Sequence, residues 1–194
     1  MPRPRLTKIT AESVEHYPPG NAAISPQPGD FIVTHGKGFF DQLIRFGETL
    51  RVSAADRQYA YWNHAALITS PDGSLIQAMA QGVERGSLSD YATNDYYLVR
   101  IKASDEDRAE VVAFGEWALD AHSKYGFLTL ASIALTIITG WKLTFFVDGS
   151  FICSGLVARA QERTTALFPH DPVHITPAEL AQYYGVPSPV PAAS

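Results

Sequence analysis

The sequence contains a single cysteine, Cys153, among its 194 residues. One cysteine excludes an intrachain disulfide, a zinc site built from several thiolates and a CxxC redox pair. Two interpretations of this residue remain. It is either a small apolar side chain of the core or a nucleophile.

The sequence also lacks clusters of basic residues and long stretches of apolar residues. Lys and Arg number 15 against 20 Asp and Glu, for a net charge of −5. No basic cluster interrupts that balance, so we expect no nucleic-acid partner. The longest apolar stretch, residues 127–139, is shorter than the roughly 20 residues that span a bilayer. It predicts either a buried helix or a lid or groove for an acyl chain.

The first residues carry positive charge but no apolar run follows them, so we expect no signal peptide. With no transmembrane helix predicted, a cytoplasmic or virion-associated location is expected. Prolines cluster in residues 18–29 and near the carboxyl terminus. We therefore divide the chain into an amino-terminal extension (1–27), one domain (28–185) and a Pro-rich tail (186–194). Because such ends are rarely ordered on their own, a protein assembly that orders the tails is a further expectation.

Apolar periodicity predicts strands in the first half of the domain and helices mainly in the second. A Pro-Asp-Gly turn at 71–73 joins two of the strands. Ser104 and Thr176 have the surroundings of helix caps. Strands are predicted at 31–34, 61–69, 74–80, 82–87 and 95–101, and helices at 39–50, after 104, at 151–163 and after 176. In the helix after 104, Val111, Phe114, Ala118 and Ala121 should fall on one face. This order predicts an α+β fold, an antiparallel sheet or small barrel packed against helices.

Cys153 follows the good cap residues 148–150, which places it in the first turn of a helix. Unpaired backbone N–H groups and the helix dipole favour a thiolate there, and the same N–H groups can hold an oxyanion. However, Cys153, Leu156, Val157 and Ala160 also share one apolar helix face. Taken alone, the local pattern favours a buried structural cysteine.

A nucleophilic thiol needs a base, so the histidines bear on the choice between these two interpretations. His64 is the one that stands out, because it shares a strand face with Trp62, Ala66 and Ile68 and needs a hydrogen-bond partner there. Gln77, in a similar apolar setting on the next strand, can be that partner and can fix the imidazole tautomer. Of the others, His16 and His122 are predicted at the surface, His35 is ambiguous, and His170 and His174 lack the further ligands that a metal site needs.

These residues resemble the NlpC-type cysteine peptidases, the bacterial branch of the papain-like fold. Cys153 to Val157 (CSGLV) is similar to the family's nucleophile motif. Asn63-His64-Ala65 and Leu75 to Ala78 (LIQA) are similar to its base and orienting motifs. The order of these motifs here resembles the circularly permuted members, the YiiX-like proteins and the lecithin:retinol acyltransferase relatives. The resemblance covers about residues 28–185.

The chain departs from this pattern at two positions. Gln77 stands where relatives often carry His or an acidic residue, and Gly155 stands where YiiX-like sequences tend to carry Glu. An amide oxygen can still accept the imidazole hydrogen bond, although it adds no charge to stabilise an imidazolium.

The resemblance implies a papain-like fold and acyl transfer through a thioester, without cofactor or metal. Cys153 is then the nucleophile, His64 the base and Gln77 the orienting residue. The substrate is a peptide, a peptidoglycan fragment or an acyl compound, with Trp62, Asn63, Tyr125 and Ser154 as substrate-binding candidates. Two alternatives stay open: a lipid-directed acyltransferase or thioesterase using the same triad, and a non-catalytic subunit of an assembly such as a phage particle.

Overall fold

Six strands form one antiparallel sheet in the computed structural model, which describes residues 11–35, 59, 61–79, 82–122, 153–168, 171–172 and 175–187. The strands are β1 (Ala11–Tyr17), β2 (Phe31–Thr34), β3 (His64–Ile68), β4 (Ser74–Met79), β5 (Gly82–Ser87) and β6 (Tyr96–Ile101). Their order across the sheet is β1-β6-β2-β3-β4-β5. The β3, β4 and β5 strands are therefore neighbours in both sequence and space, whereas β2 lies between two strands that follow it much later in the chain.

Three helices of the described residues complete the fold: α1 (Asp105–His122), α2 (Cys153–Gln161) and α3 (Pro177–Tyr184). Ser104 caps α1, since its hydroxyl accepts from the Asp107 N–H at 3.1 Å. Thr176 and Glu179 form the predicted capping box of α3. Gly185 ends α3 with a φ of 71°, a left-handed conformation that favours glycine.

The sheet has a different cover on each face. The helices pack on the face that carries Phe31, Ala65 and Leu67, where they build the larger core. The other face carries Ile32, Ala66 and Leu75, and a 3₁₀ turn at Leu88–Tyr91 packs against it. Because successive strand residues point to opposite faces, this division assigns a face to each strand residue of the candidate site.

A buried carboxylate ties several segments together just before β2. Asp30 is fully buried. Its Oδ1 accepts from Arg108 at 2.9 Å and from the Ile101 N–H at 3.2 Å, and its Oδ2 accepts from the Gln27 N–H at 3.0 Å. The charge is thus paired and hydrogen bonded, as a buried charge must be.

The α+β class and the antiparallel sheet are confirmed, and the five predicted strands and the helices predicted after 104, at 151–163 and after 176 have counterparts close to their predicted positions, whereas β1 was not predicted. The strand predicted at 61–69 is shorter in the structure, where it runs from His64 to Ile68 and its pairing with β2 begins at His64. Of the four residues predicted to share one face of this helix, Val111, Phe114 and Ala118 are buried, whereas Ala121 near the end of α1 is exposed.

The chain segment before residue 28 contributes β1 to the sheet, where it pairs with β6. The predicted helix at 39–50 and the apolar stretch 127–139 lie outside the described residues. Within the described part of the chain, no helix has both the length and the apolarity needed to cross a membrane.

Candidate active site

His64 and Gln77 are brought together by the β3–β4 hairpin. The hairpin pairs Leu67 with Ile76 across the turn at 71–73, where Gly73 has a φ of 87°. This register places His64 and Gln77 on the same face, one diagonal step apart. The His64 Nε2 lies 3.0 Å from the Gln77 Oε1, and each side chain is only 6% exposed. The pairing predicted from the two strand patterns is therefore present as a buried hydrogen bond.

Two further side chains hold the Gln77 amide. The Tyr91 hydroxyl donates to Gln77 Oε1. The Tyr91 ring also stacks on the His64 ring, with the ring centroids 6.0 Å apart and an interplanar angle of 16°. On the other side, Gln77 Nε2 donates to Glu84 Oε1 at 3.2 Å. The amide is consequently bonded through both its oxygen and its nitrogen.

Sequence reasoning missed Tyr91 and Glu84. A signal for Glu84 exists, because a tight hairpin between the predicted strands 74–80 and 82–87 places Gln77 opposite Glu84, which is the observed register. Tyr91 carries no such signal. It reaches Gln77 from a 3₁₀ turn, and periodicity does not predict where a turn residue points.

Gly86 completes the surroundings of the amide. A Cβ atom at this position would lie 3.1 Å from Gln77 Nε2, 3.0 Å from the Leu75 side chain and 3.3 Å from the Asp90 carboxylate. These distances are shorter than ordinary van der Waals contacts, so a larger residue at 86 must displace one of these groups. The missing side chain of Gly86 leaves room for the amide of Gln77.

Cys153 is the first residue of α2 and is 5% exposed. It therefore has both predicted features at once, a place at the start of a helix and a place in the core. It belongs to the same core cluster as Leu156 and Ala65, on the helix-covered face of the sheet. His64 leaves β3 toward the opposite face of the sheet from Ala65.

The substrate-binding candidates are buried where the structure describes them. Ser154, fully buried, donates from its hydroxyl to the Ile175 carbonyl at 2.6 Å. Trp62, also fully buried, donates from its indole N–H to the Pro187 carbonyl at 3.0 Å. Asn63 is fully buried as well, and its backbone N–H donates to the Thr34 carbonyl at 3.3 Å. Tyr125 lies outside the described residues.

The other histidines have separate surroundings. His16 is exposed, as predicted, and its Nε2 lies 2.6 Å from the Asp95 carboxylate. His35 Nδ1 lies 2.8 Å from the Tyr61 carbonyl, and the two rings stack. The His122 side chain, His170 and His174 lie outside the described residues. Among the residues that the structure describes, no three His, Cys, Asp or Glu side chains form a group that could hold a metal ion.

Comparison of the chain with models of known protein families finds no match, and neither does comparison with curated proteins.

Proposed function

We propose that this protein is a cysteine hydrolase that cleaves an amide bond, of a peptide or peptidoglycan type, through a thioester on Cys153. The observation that carries the proposal is the buried hydrogen bond between His64 and Gln77 at 3.0 Å. A histidine held by an amide oxygen on a neighbouring strand has a fixed orientation, which is what a general base needs. The resemblance of the motifs around these residues to NlpC-type peptidases supports the same function.

In the first half of the reaction, His64 accepts the proton of the Cys153 thiol. The thiolate sulfur attacks the carbonyl carbon of the substrate amide, and the carbonyl π electrons move to oxygen. The backbone N–H groups in the first turn of α2, which begins at Cys153, are suited to stabilise this oxyanion. When the oxyanion collapses, the C–N bond breaks, and the amine leaves with the proton that His64 returns.

In the second half, a water molecule attacks the thioester carbonyl while His64 accepts a proton from it. The C–S bond then breaks, the carboxylic acid departs and the thiol regains its proton. Gln77 orients the imidazole in both halves. Its amide is neutral, so it contributes position rather than charge to the imidazolium.

The decisive experiment follows alkylation of Cys153 by iodoacetamide, a reagent small enough for a site that is 5% exposed, as a function of pH. An ordinary thiol with a pKa of about 8.5 is only about 1% ionised at pH 6.5. We expect rapid labelling at that pH in the wild type and labelling near the ordinary thiol rate in His64→Ala. His16→Ala is the matched control, since it removes an exposed histidine elsewhere in the sheet, and should label like the wild type.

The proposal is refuted if Cys153 of the wild type is labelled at the ordinary thiol rate, or if its labelling rate is the same in His64→Ala. A structural role for the domain then remains. If the thiol is activated, incubation with peptidoglycan fragments and, separately, with acyl lipids identifies the bond that is cut, with Cys153→Ser as the inactive control. Release of acyl groups from lipid without amide cleavage would replace the proposed function by a lipid-directed one.

A further inference from the structure

The Gln77 amide joins an exposed carboxylate to a buried imidazole. Glu84 is exposed on β5 and stands directly opposite Gln77 in the β4–β5 register. The amide nitrogen donates to Glu84 at 3.2 Å, and the amide oxygen accepts from His64 Nε2 at 3.0 Å and from the Tyr91 hydroxyl. Each contact in the series Glu84, Gln77, His64 restricts the orientation or the protonation of the next group.

An ionised carboxylate has only acceptors, so the group that Gln77 turns toward Glu84 must be its NH₂. The reverse orientation would set the amide oxygen against a carboxylate oxygen, and neither of these atoms can donate. The oxygen of Gln77 therefore faces His64. A carbonyl oxygen also only accepts, so His64 Nε2 must carry a hydrogen. In the neutral imidazole the lone pair is then on Nδ1.

We propose that Glu84 and Tyr91 are positioning residues that act through Gln77 to hold His64 in its Nε2–H tautomer, which makes Nδ1 the nitrogen that accepts the thiol proton. The tautomer assignment stands on the hydrogen bonds alone, whereas the role of Nδ1 as base rests on the proposed function. Tyr91 adds a second donor to the same oxygen, and its ring lies nearly parallel to the imidazole with the two centroids 6.0 Å apart.

Nothing in the packing of the sheet requires an acid at position 84. The side chain of Glu84 is exposed at the edge strand, where residues of many kinds serve equally well. A merely structural role for Glu84 therefore predicts no effect of its removal on the protonation pattern of a buried ring two strands away. The positioning role predicts that removal of Glu84 changes the tautomer ratio of His64.

The experiment measures the tautomer of His64 directly, by ¹⁵N NMR of histidine-labelled protein at a pH where the ring is neutral. In the wild type we expect the pattern of a protonated Nε2 and an unprotonated Nδ1. Glu84→Ala frees the amide to rotate. It should lower the ratio of the Nε2–H tautomer to the Nδ1–H tautomer by up to about tenfold, which corresponds to the typical net contribution of one hydrogen bond. Tyr91→Phe, which keeps the ring and removes the donor, should shift the ratio in the same direction.

Glu84→Gln provides the rescue, because its amide oxygen can still accept from Gln77, and we expect it to restore the wild-type pattern. Glu116→Ala is the matched charge control. Glu116 pairs with Arg85, the neighbour of Glu84 on β5, so this variant removes one carboxylate from the same region without touching Gln77. Its tautomer ratio should equal that of the wild type.

The alkylation profile of the same variants separates the two proposals. Activation of Cys153 that depends on His64 together with an unchanged tautomer in Glu84→Ala overturns the positioning role and leaves the hydrolase intact. A tautomer that shifts as expected together with an unactivated thiol in every variant overturns the hydrolase and leaves the Glu84–Gln77–His64 relationship intact. A wild-type ring protonated at Nδ1 overturns the inference outright.

Discussion

Gln77 and Glu84 stand opposite each other on adjacent strands, and the hydrogen bond between them at 3.2 Å decides which end of the amide faces His64. The candidate site is thus organised from the surface inward. An exposed carboxylate orients a buried amide, and the amide orients a buried imidazole. Four substitutions, two of them with a matched control, test this arrangement and the stability of the fold around it.

Gly86→Ala should disturb the Gln77 amide without altering any group that takes part in the hydrogen bonds. The added methyl group lies 3.0 Å from the Leu75 side chain and 3.1 Å from Gln77 Nε2, so these groups have to give way by a few tenths of an ångström. We expect a loss of stability of about 1–3 kcal/mol from overpacking, together with slower alkylation of Cys153. Urea unfolding and alkylation kinetics measure the two effects.

Gly115→Ala is the control for that variant. Its methyl group meets Leu67 at 2.9 Å in the core that also holds Cys153, on the face of the sheet opposite to Gln77. The comparison is therefore made on the His64 tautomer rather than on the thiol, and an equal change of the tautomer ratio in the two variants would contradict the assignment of Gly86 to the site.

Asp30→Asn should be among the most destabilising substitutions in the chain. It keeps the shape of the side chain but leaves Arg108, whose side chain is 9% exposed, with an uncompensated charge. Breaking a buried ion pair at one partner costs about 3–5 kcal/mol. Urea denaturation should show this loss, whereas Glu116→Gln, which breaks an exposed pair with Arg85, should cost no more than about 1 kcal/mol. A cost of about 1 kcal/mol or less for Asp30→Asn would contradict the role assigned to this ion pair.

Glu15 should make folding stability depend on pH in the acid range. A hydrogen bond from Arg100 lowers the pKa of Glu15 from 4.5 to about 2. The folded state therefore holds this proton less tightly than the unfolded state. The stabilisation is complete above the unfolded pKa of 4.5 and is lost as the pH falls toward 2. Because the Glu15–Arg100 pair is partly exposed, it contributes on the order of 1 kcal/mol to the free energy of unfolding.

In Glu15→Gln, the fall in stability between pH 4.5 and pH 2 should be shallower than in the wild type. Thermal unfolding across that range measures the difference in slope. Parallel curves for the two proteins would show that the Arg100 contact contributes nothing to the pH dependence.

Ser154→Ala should act on stability rather than on the thiol. The Ser154 hydroxyl is buried and bonded to the Ile175 carbonyl at 2.6 Å, so its loss leaves a buried acceptor unpaired at a cost of about 1–3 kcal/mol. We expect a lower midpoint of urea unfolding and a wild-type alkylation rate for Cys153. A normal midpoint with impaired cleavage of the substrate would instead support the substrate-binding role that the sequence suggests for Ser154.

Much of the sheet is predictable because its hairpin strands carry local information. The alternating pattern of 74–80 and the Pro-Asp-Gly turn suffice to place Gln77 near His64, since a hairpin register follows from its turn. The helix caps at Ser104 and Thr176 are equally local, and both are present in the structure.

Two other features are not local, and sequence patterns do not reveal them. The β1 strand pairs with β6, a partner far away in the chain, and a short polar-apolar segment before a Pro-rich stretch gives no sign of that partner. The side of the sheet on which α2 packs is the second feature. Periodicity identifies the apolar face of the Cys153 helix but not which sheet face receives it.

The position of β2 has a consequence for how the chain folds. This strand is four residues long and lies in the middle of the sheet, with Phe31 paired to Leu67 on one side and to Val99 on the other. Both pairings close long loops, whereas β3, β4 and β5 meet through short connections. Non-local pairings slow folding because the loop entropy is lost before the contacts form. We therefore expect the β3–β5 hairpins, with Gln77 and Glu84 already opposed, to form early, and the insertion of β2 beside them to set the folding rate.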